Sequence, residues 1–137
     1  MSVKQLSVFI ENRPGTLVEV TETMAAAGID IRALSLAETP DYGILRLIVS
    51  DAEKAFEVIK ATGRTVSINR VPGIRVGDRP GGLSAALKVL TNAGFDVEYM
   101  YAFISEHAGC ADVVLRVGDT AKAEALLAEN GFDLLQG

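Results

Sequence analysis

Between Gln5 and Glu11 the chain alternates, with Leu6, Val8 and Ile10 on one side and Gln5, Ser7, Phe9 and Glu11 on the other. A period of two predicts a half-buried strand. At Thr16 the period changes: Leu17, Val20, Met24 and Ala27 recur at helical spacing, and Gly28 stands where a C-terminal cap belongs, which predicts an amphipathic helix. Ile29–Ala37 and Gly43–Val49 are rich in Ile, Leu and Val and flank Glu38-Thr39-Pro40-Asp41-Tyr42-Gly43; they read as an antiparallel pair around a turn. Asp51 is placed to cap a second helix, with Ala52, Ala55, Phe56 and Ile59 on one face and a stop at Thr62-Gly63. A strand from Thr65 to Asn69 follows. The order strand, helix, strand, strand, helix, strand is that of a split βαβ or ferredoxin-like unit, an α+β plan with a four-stranded antiparallel sheet and both helices on one face.

The pattern then repeats. Asn12-Arg13-Pro14-Gly15-Thr16-Leu17 is echoed 66 positions later by Asp78-Arg79-Pro80-Gly81-Gly82-Leu83, and Ala27-Gly28-Ile29-Asp30-Ile31 by Ala93-Gly94-Phe95-Asp96-Val97 at the same offset. Leu83, Leu87 and Leu90 supply the stripe of the repeated helix. Asp51 to Gly63 matches Asp119 to Gly131 at an offset of 68, so two residues enter around the second hairpin. Two domains are expected, 1–70 and 71–137. A unit of roughly 60 residues buries only about 60% of its unfolded surface, and the joint Arg70-Val71-Pro72-Gly73 is short, so the expectation is two units side by side in one body.

Composition narrows the function classes. The formal net charge is −5, from 13 Lys+Arg and 18 Asp+Glu, and the charges are interspersed, which argues against nucleic acid as a partner. Charged residues interrupt every apolar run before membrane-spanning length, and no export signal precedes the first strand pattern. The single cysteine, Cys110, excludes an internal disulfide and suits a reducing compartment, so a cytoplasmic location is expected. No cofactor is expected.

The two Pro-Gly loops are the one feature that recurs with its structural context. Each joins a strand to a helix, where proline pre-sets φ and glycine permits close approach. The amides of a helix start make an anion site suited to a small carboxylate. A bulky residue at Gly15 is expected to narrow that approach. Neither loop has a P-loop ending or a GxGxxG, which counts against a nucleotide.

Taken with their spacing, Asn12–Leu17 and Ala27–Ile31, repeated as Asp78–Leu83 and Ala93–Val97, resemble the signature of the ACT domain. Two tandem copies cover nearly the whole chain, as in small stand-alone tandem-ACT proteins. The resemblance implies a non-enzymatic regulatory protein that binds a free amino acid between ACT units and passes occupancy to an oligomer or a target enzyme. In that family the ligand lies between the strand-to-helix loop of one unit and the start of the second strand of its neighbour. The carried-over positions are Asn12, Arg13, Pro14, Gly15, Thr16 and Leu17 with Ile29, Asp30 and Ile31, and in the second copy Asp78, Arg79, Pro80, Gly81, Gly82 and Leu83 with Asp96. The second copy departs from the first in Asp78 for Asn12 and Gly82 for Thr16. An ionised aspartate cannot donate a hydrogen bond and repels a carboxylate, so the sites should differ, with the first loop the better carboxylate binder. Asp30 or Asp96 would hold the ligand's ammonium group. For Arg13 and Arg79 a solvated role is favoured.

Other constellations carry less. The H-x-x-C spacing of His107 and Cys110 offers two of the four ligands that a structural zinc site needs, and reads as a hairpin turn. Tyr99, Tyr101 and Phe103 share one strand face, with Met100, Ala102 and Ile104 on the other; without a basic RNP-like motif they suggest packing and not RNA stacking. A small acylphosphatase-like hydrolase using Arg13 and Asn69, and a ligand-free interaction module, are the alternatives. Finally, Phe9, Ile44, Ile48 and the aromatic row lie on the sheet face opposite the predicted core, which implies a two-fold homodimer closed through those faces.

Overall fold

The computed structural model describes residues 2–136; Met1, Gly137 and the side chain of Ile104 lie outside the described residues. The chain divides into two compact units, residues 4–69 and residues 70–136 with 2–3.

The first unit runs β1 (Val3–Glu11), α1 (Thr16–Ala26), β2 (Ile31–Glu38), β3 (Tyr42–Val49), α2 (Ala52–Lys60) and β4 (Val66–Val71). Its sheet has the order β2-β3-β1-β4. β3 pairs antiparallel with β1, Leu6 opposite Leu47 and Glu11 opposite Tyr42, and with β2, Leu36 opposite Leu45. The alternation expected of β1 is present: Leu6 and Val8 are fully buried and Ile10 nearly so, joined by Val20 and Met24 of α1, Leu45 and Leu47 of β3, and Ala55 and Ile59 of α2. Each such aliphatic side chain contributes about 1.5–3 kcal/mol through burial. Asp51 caps α2, its carboxylate accepting from the Lys54 amide at 3.1 Å.

The second unit repeats the order with β5 (Gly73–Gly77), α3 (Gly82–Asn92), β6 (Tyr99–Ile104), β7 (Cys110–Arg116), α4 (Thr120–Glu129) and a short β8 (Asp133–Leu134), in the sheet order β6-β7-β5-β8. Its core centres on Ile74, Leu90, Leu115 and Leu127. The α3 stripe differs from expectation: Gly82, Ala86 and Leu90 are buried, Leu83 packs against the core, and Leu87 is half-buried. The two inserted residues fall in the hairpin turn, which spans 39–41 in the first unit and 105–109 in the second. His107 lies in that turn and Cys110 opens β7 directly after it, the Cys110 amide donating to the His107 carbonyl at 3.2 Å.

The second strand begins later than the sequence suggests, at Ile31 and not Ile29. The Gly28 amide donates to Ala25 O and the Ile29 amide to Met24 O, both at 3.0 Å, with Gly28 at φ 74. That pair of bonds is a Schellman cap, in which the apolar residue after the glycine folds back onto the helix. Ile29 is therefore a core residue, 6% exposed. Gly94 and Phe95 end α3 in the same way.

On the face away from the helices, Ile48 is 6% exposed and Val114 fully buried, while Ile44, Tyr99, Tyr101 and Phe103 are half-buried. Phe9 is exposed and meets Tyr42 edge-on, ring centroids 5.4 Å apart.

Candidate functional site

The first Pro-Gly loop is a turn before it is a helix start. Its helix begins at Thr16, capped by Gly15 at φ 89, ψ −12. The Thr16 amide reaches back to the Arg13 carbonyl at 3.4 Å. Proline and left-handed glycine at the two central positions, closed by this i to i+3 contact, are the signature of a type II β-turn across Arg13-Pro14-Gly15-Thr16. The proline thus lies before the cap and not in the first helical turn, and the turn consumes one of the amides expected to be free. Glu19 N–H bonds to Gly15 O at 3.0 Å. Between them, the amides of Leu17 and Val18 have no hydrogen-bond partner among the described residues. The loop offers two free donors, fewer than a full helix start, with the partial positive charge of the helix terminus behind them.

Thr16 is 2% exposed, and its hydroxyl lies 2.6 Å from the Arg13 carbonyl and 2.9 Å from the Glu11 carbonyl. It props the end of β1 away from the helix by one side chain's width. Asn12 donates from Nδ2 to the Thr39 carbonyl at 2.7 Å, tying the loop to the β2–β3 turn. Between loop and hairpin an open cleft of about 460 Å³ remains, lined by Ile10, Glu11, Asn12, Arg13, Pro14, Thr16, Leu17, Leu36, Glu38 and Gly43. That volume is in the range of small-molecule sites. Leu36 lies on the helix-side face of edge strand β2, yet is 48% exposed, because its side chain forms a cleft wall.

Arg13 lies along α1, exposed but paired. Its guanidinium donates to both carboxylate oxygens of Glu19 at 3.2 and 3.3 Å, and Arg64 donates to the same carboxylate at 2.6 Å. The bond to Arg13 and the one to Arg64 hold the Glu19 carboxyl below its ordinary value, and the Glu19 bond raises Arg13. Arg13 is thus exposed but paired, and not simply solvated.

Of the sequence-predicted residues, Asn12, Arg13, Pro14, Thr16 and Leu17 meet in the cleft; Gly15 does not line it. A Cβ built on Gly15 meets nothing within 4 Å, so bulk there does not narrow the approach by contact, and substitution acts through the left-handed backbone. Ile29, Asp30 and Ile31 are elsewhere. Along β3, the partner of Glu11 is Tyr42 and the partner of Ile31 is Val49, which separates the loop from the start of β2 by about 23 Å at ~3.3 Å per residue. Asp30 uses its amide on the Ser50 hydroxyl at 2.9 Å and its carbonyl on the Ser50 amide at 2.9 Å. Arg13 and Asn69, the pair an acylphosphatase-like site would need, are likewise apart: Asn69 accepts from Gln5 at 3.4 Å, at the far end of β1. Ile10, Glu11, Leu36, Glu38 and Gly43 are cleft residues that the sequence reading missed.

In the second unit, Asp78, Arg79, Pro80, Gly81, Gly82 and Leu83 form the same turn, with Gly81 at φ 84, ψ −6 and the Gly82 amide on the Arg79 carbonyl at 3.0 Å. Here Ala85 stands where Glu19 would. A Cβ built on Gly82 would overlap the Gly77 carbonyl oxygen. Asp96 is exposed, and it lines a separate cleft of about 600 Å³ with Phe95, Glu98, Asp119, Lys122 and Leu126. Among the described residues no three His, Cys, Asp or Glu gather as metal ligands, and no helix is long and apolar enough to cross a membrane.

A family model for the ACT domain pair matches residues 1–137. The chain belongs to the ACT domain family. Its two βαββαβ units are tandem ACT units of the ferredoxin-like kind. Among curated proteins, the small subunit of acetolactate synthase from Mycobacterium avium is 28% identical over 131 residues, covering 89% of this chain and 78% of that one. A crystal structure of a protein from Bacteroides thetaiotaomicron shares 43% identity at a TM-score of 0.91, over 98% of this chain and 92% of that chain. The regulatory subunit of aspartate kinase from Thermus thermophilus shares the fold at 14% identity and a TM-score of 0.69, over 96% and 94% of the respective chains.

Proposed function

We propose that this ACT pair is a non-catalytic, cytoplasmic regulatory protein that binds a free amino acid at the Asn12–Leu17 loop and signals occupancy to an oligomer or a target enzyme. The cleft beside that loop carries the reading. Its apolar walls, Ile10, Leu17 and Leu36, can take a side chain, while the Leu17 and Val18 amides can take the carboxylate. Ligand contacts from the start of a second strand, where Asp30 or Asp96 would meet the ammonium group, must come from a different unit than the loop, since about 23 Å separates the two sets within one unit. The names of the relatives, small subunit and regulatory subunit, agree with this role. A homodimer that covers the apolar sheet faces around Phe9, Ile44 and Tyr101 is part of the proposal.

A thermal-shift screen with the twenty amino acids tests it. One or a few should raise the melting temperature, because a ligand at 100 times its Kd adds about 2.7 kcal/mol to stability. A flat response at millimolar concentration removes the reading. For the oligomer, sedimentation should give a dimer, and Ile44→Lys with Tyr101→Lys should give monomers or aggregates.

A further inference from the structure

We infer that the chain takes one amino acid and not two, and that the residue at the first helical position decides which loop is open. The inference rests on the amino-acid reading above and adds its stoichiometry and its determinant. In the first unit Thr16 fills the space between helix start and strand end, its hydroxyl shared between the Glu11 and Arg13 carbonyls at 2.9 and 2.6 Å. In the second unit the corresponding space is gone. The Gly77 carbonyl, counterpart of Glu11, occupies the position that a Cβ on Gly82 would need, with the carbonyl carbon 3.2 Å from it. Backbone has replaced side chain at the neck of the loop, and only glycine permits that approach.

The two hairpins are also anchored by different groups. Asn12 reaches across the first cleft mouth to the Thr39 carbonyl, whereas in the second unit Ser105 of the hairpin turn accepts from Arg75 at 3.2 Å, and Arg75 also holds the buried Asp112 at 3.0 Å. The second hairpin is tied to the body of its sheet through this pair, and the Asp78 amide donates to the Gly109 carbonyl at 2.8 Å. The second loop is therefore a structural closure built on the same sequence motif.

Isothermal titration of the full chain with whichever of the twenty amino acids raises its melting temperature tests this. The expected stoichiometry is one per chain. Thr16→Gly should weaken binding at least tenfold, since it allows the Glu11 carbonyl to close on the helix as Gly77 does, and Thr16→Ser, which keeps the hydroxyl, should bind within about threefold of the unmodified chain. Asp78→Asn, which restores the amide donor to the second loop, should leave the stoichiometry at one. Two equivalent ligands per chain, a second site gained in Asp78→Asn, or affinity indifferent to Thr16→Gly overturns the inference while leaving the amino-acid reading in place. Silence from all twenty amino acids overturns both. The stoichiometry of the unmodified chain needs no variant to fold, so the result is decisive even if Thr16→Gly is unstable.

Discussion

The two Pro-Gly loops share a turn type and a left-handed glycine cap, yet they stand in different surroundings. In the first, a threonine side chain stands between helix start and strand end and an asparagine amide ties the loop to the hairpin, beside a cleft of about 460 Å³. In the second, the glycine at the threonine's position lets the Gly77 backbone close onto the helix. A repeated motif thus preserves a backbone conformation while its surroundings change, because the turn depends on Pro and Gly at fixed positions while the cleft depends on side chains that approach from other strands.

Gly82 is where this contrast breaks most easily. Gly82→Ala places a methyl against a backbone carbonyl that cannot swing aside, and should lower stability by about 1–3 kcal/mol, the usual range for overpacking; a denaturation midpoint unchanged from that of the unmodified chain would mean that the neck is wider than described. Thr16→Ala is the milder counterpart. It removes one buried hydroxyl donor and should cost about 1 kcal/mol, read in the same denaturation experiment. Next comes Asn12→Asp, which gives the first loop the second loop's residue. The donor to Thr39 is lost from an exposed position, so the loss of stability should be near ~0.5 kcal/mol, with a larger effect on amino-acid affinity than on folding.

The smallest effect concerns Glu19, which has no counterpart at Ala85. Its carboxyl is held below the ordinary value by hydrogen bonds from Arg13 and Arg64. A lowered folded-state value means that the contribution is present above the unfolded value, about 4.3, and fades as pH falls through the folded one. The difference in denaturation midpoint between the unmodified chain and Glu19→Gln should therefore be slight at pH 7, shrink further towards pH 3, and diminish in high salt, as exposed pairs do. A difference that grows on acidification would contradict the pairing.

Much of this architecture was legible in the sequence, because it rests on local rules. The alternation of Leu6, Val8 and Ile10, the helical spacing of Val20 and Met24, and the aspartate caps at Asp51 and Asp119 all describe elements that form as read. The misreadings sit where a residue serves two elements. Ile29 has strand chemistry but closes a Schellman cap, so the strand starts at Ile31. Leu87 has the spacing of a core residue, but the smaller Ala86 faces the core where the helix lies close to the sheet. Pro-Gly signals a type II turn as readily as a helix start, and that signal was available in the dipeptide itself. The walls contributed by Leu36, Glu38 and Gly43 required the register of β2 and β3, and the overlap between Gly82 and Gly77 required the approach of a helix to a strand end, neither of which is local.

The most direct test follows the backbone amides of Leu17, Val18, Leu83 and Ser84 by nuclear magnetic resonance while the amino acid that raises the melting temperature is titrated into the full chain. Leu17 and Val18 should shift in a saturable way, as donors newly engaged by a carboxylate, and Leu83 and Ser84 should stay in place. Saturable shifts at Leu83 and Ser84 equal to those at Leu17 and Val18, or none at any of the four, would contradict the account.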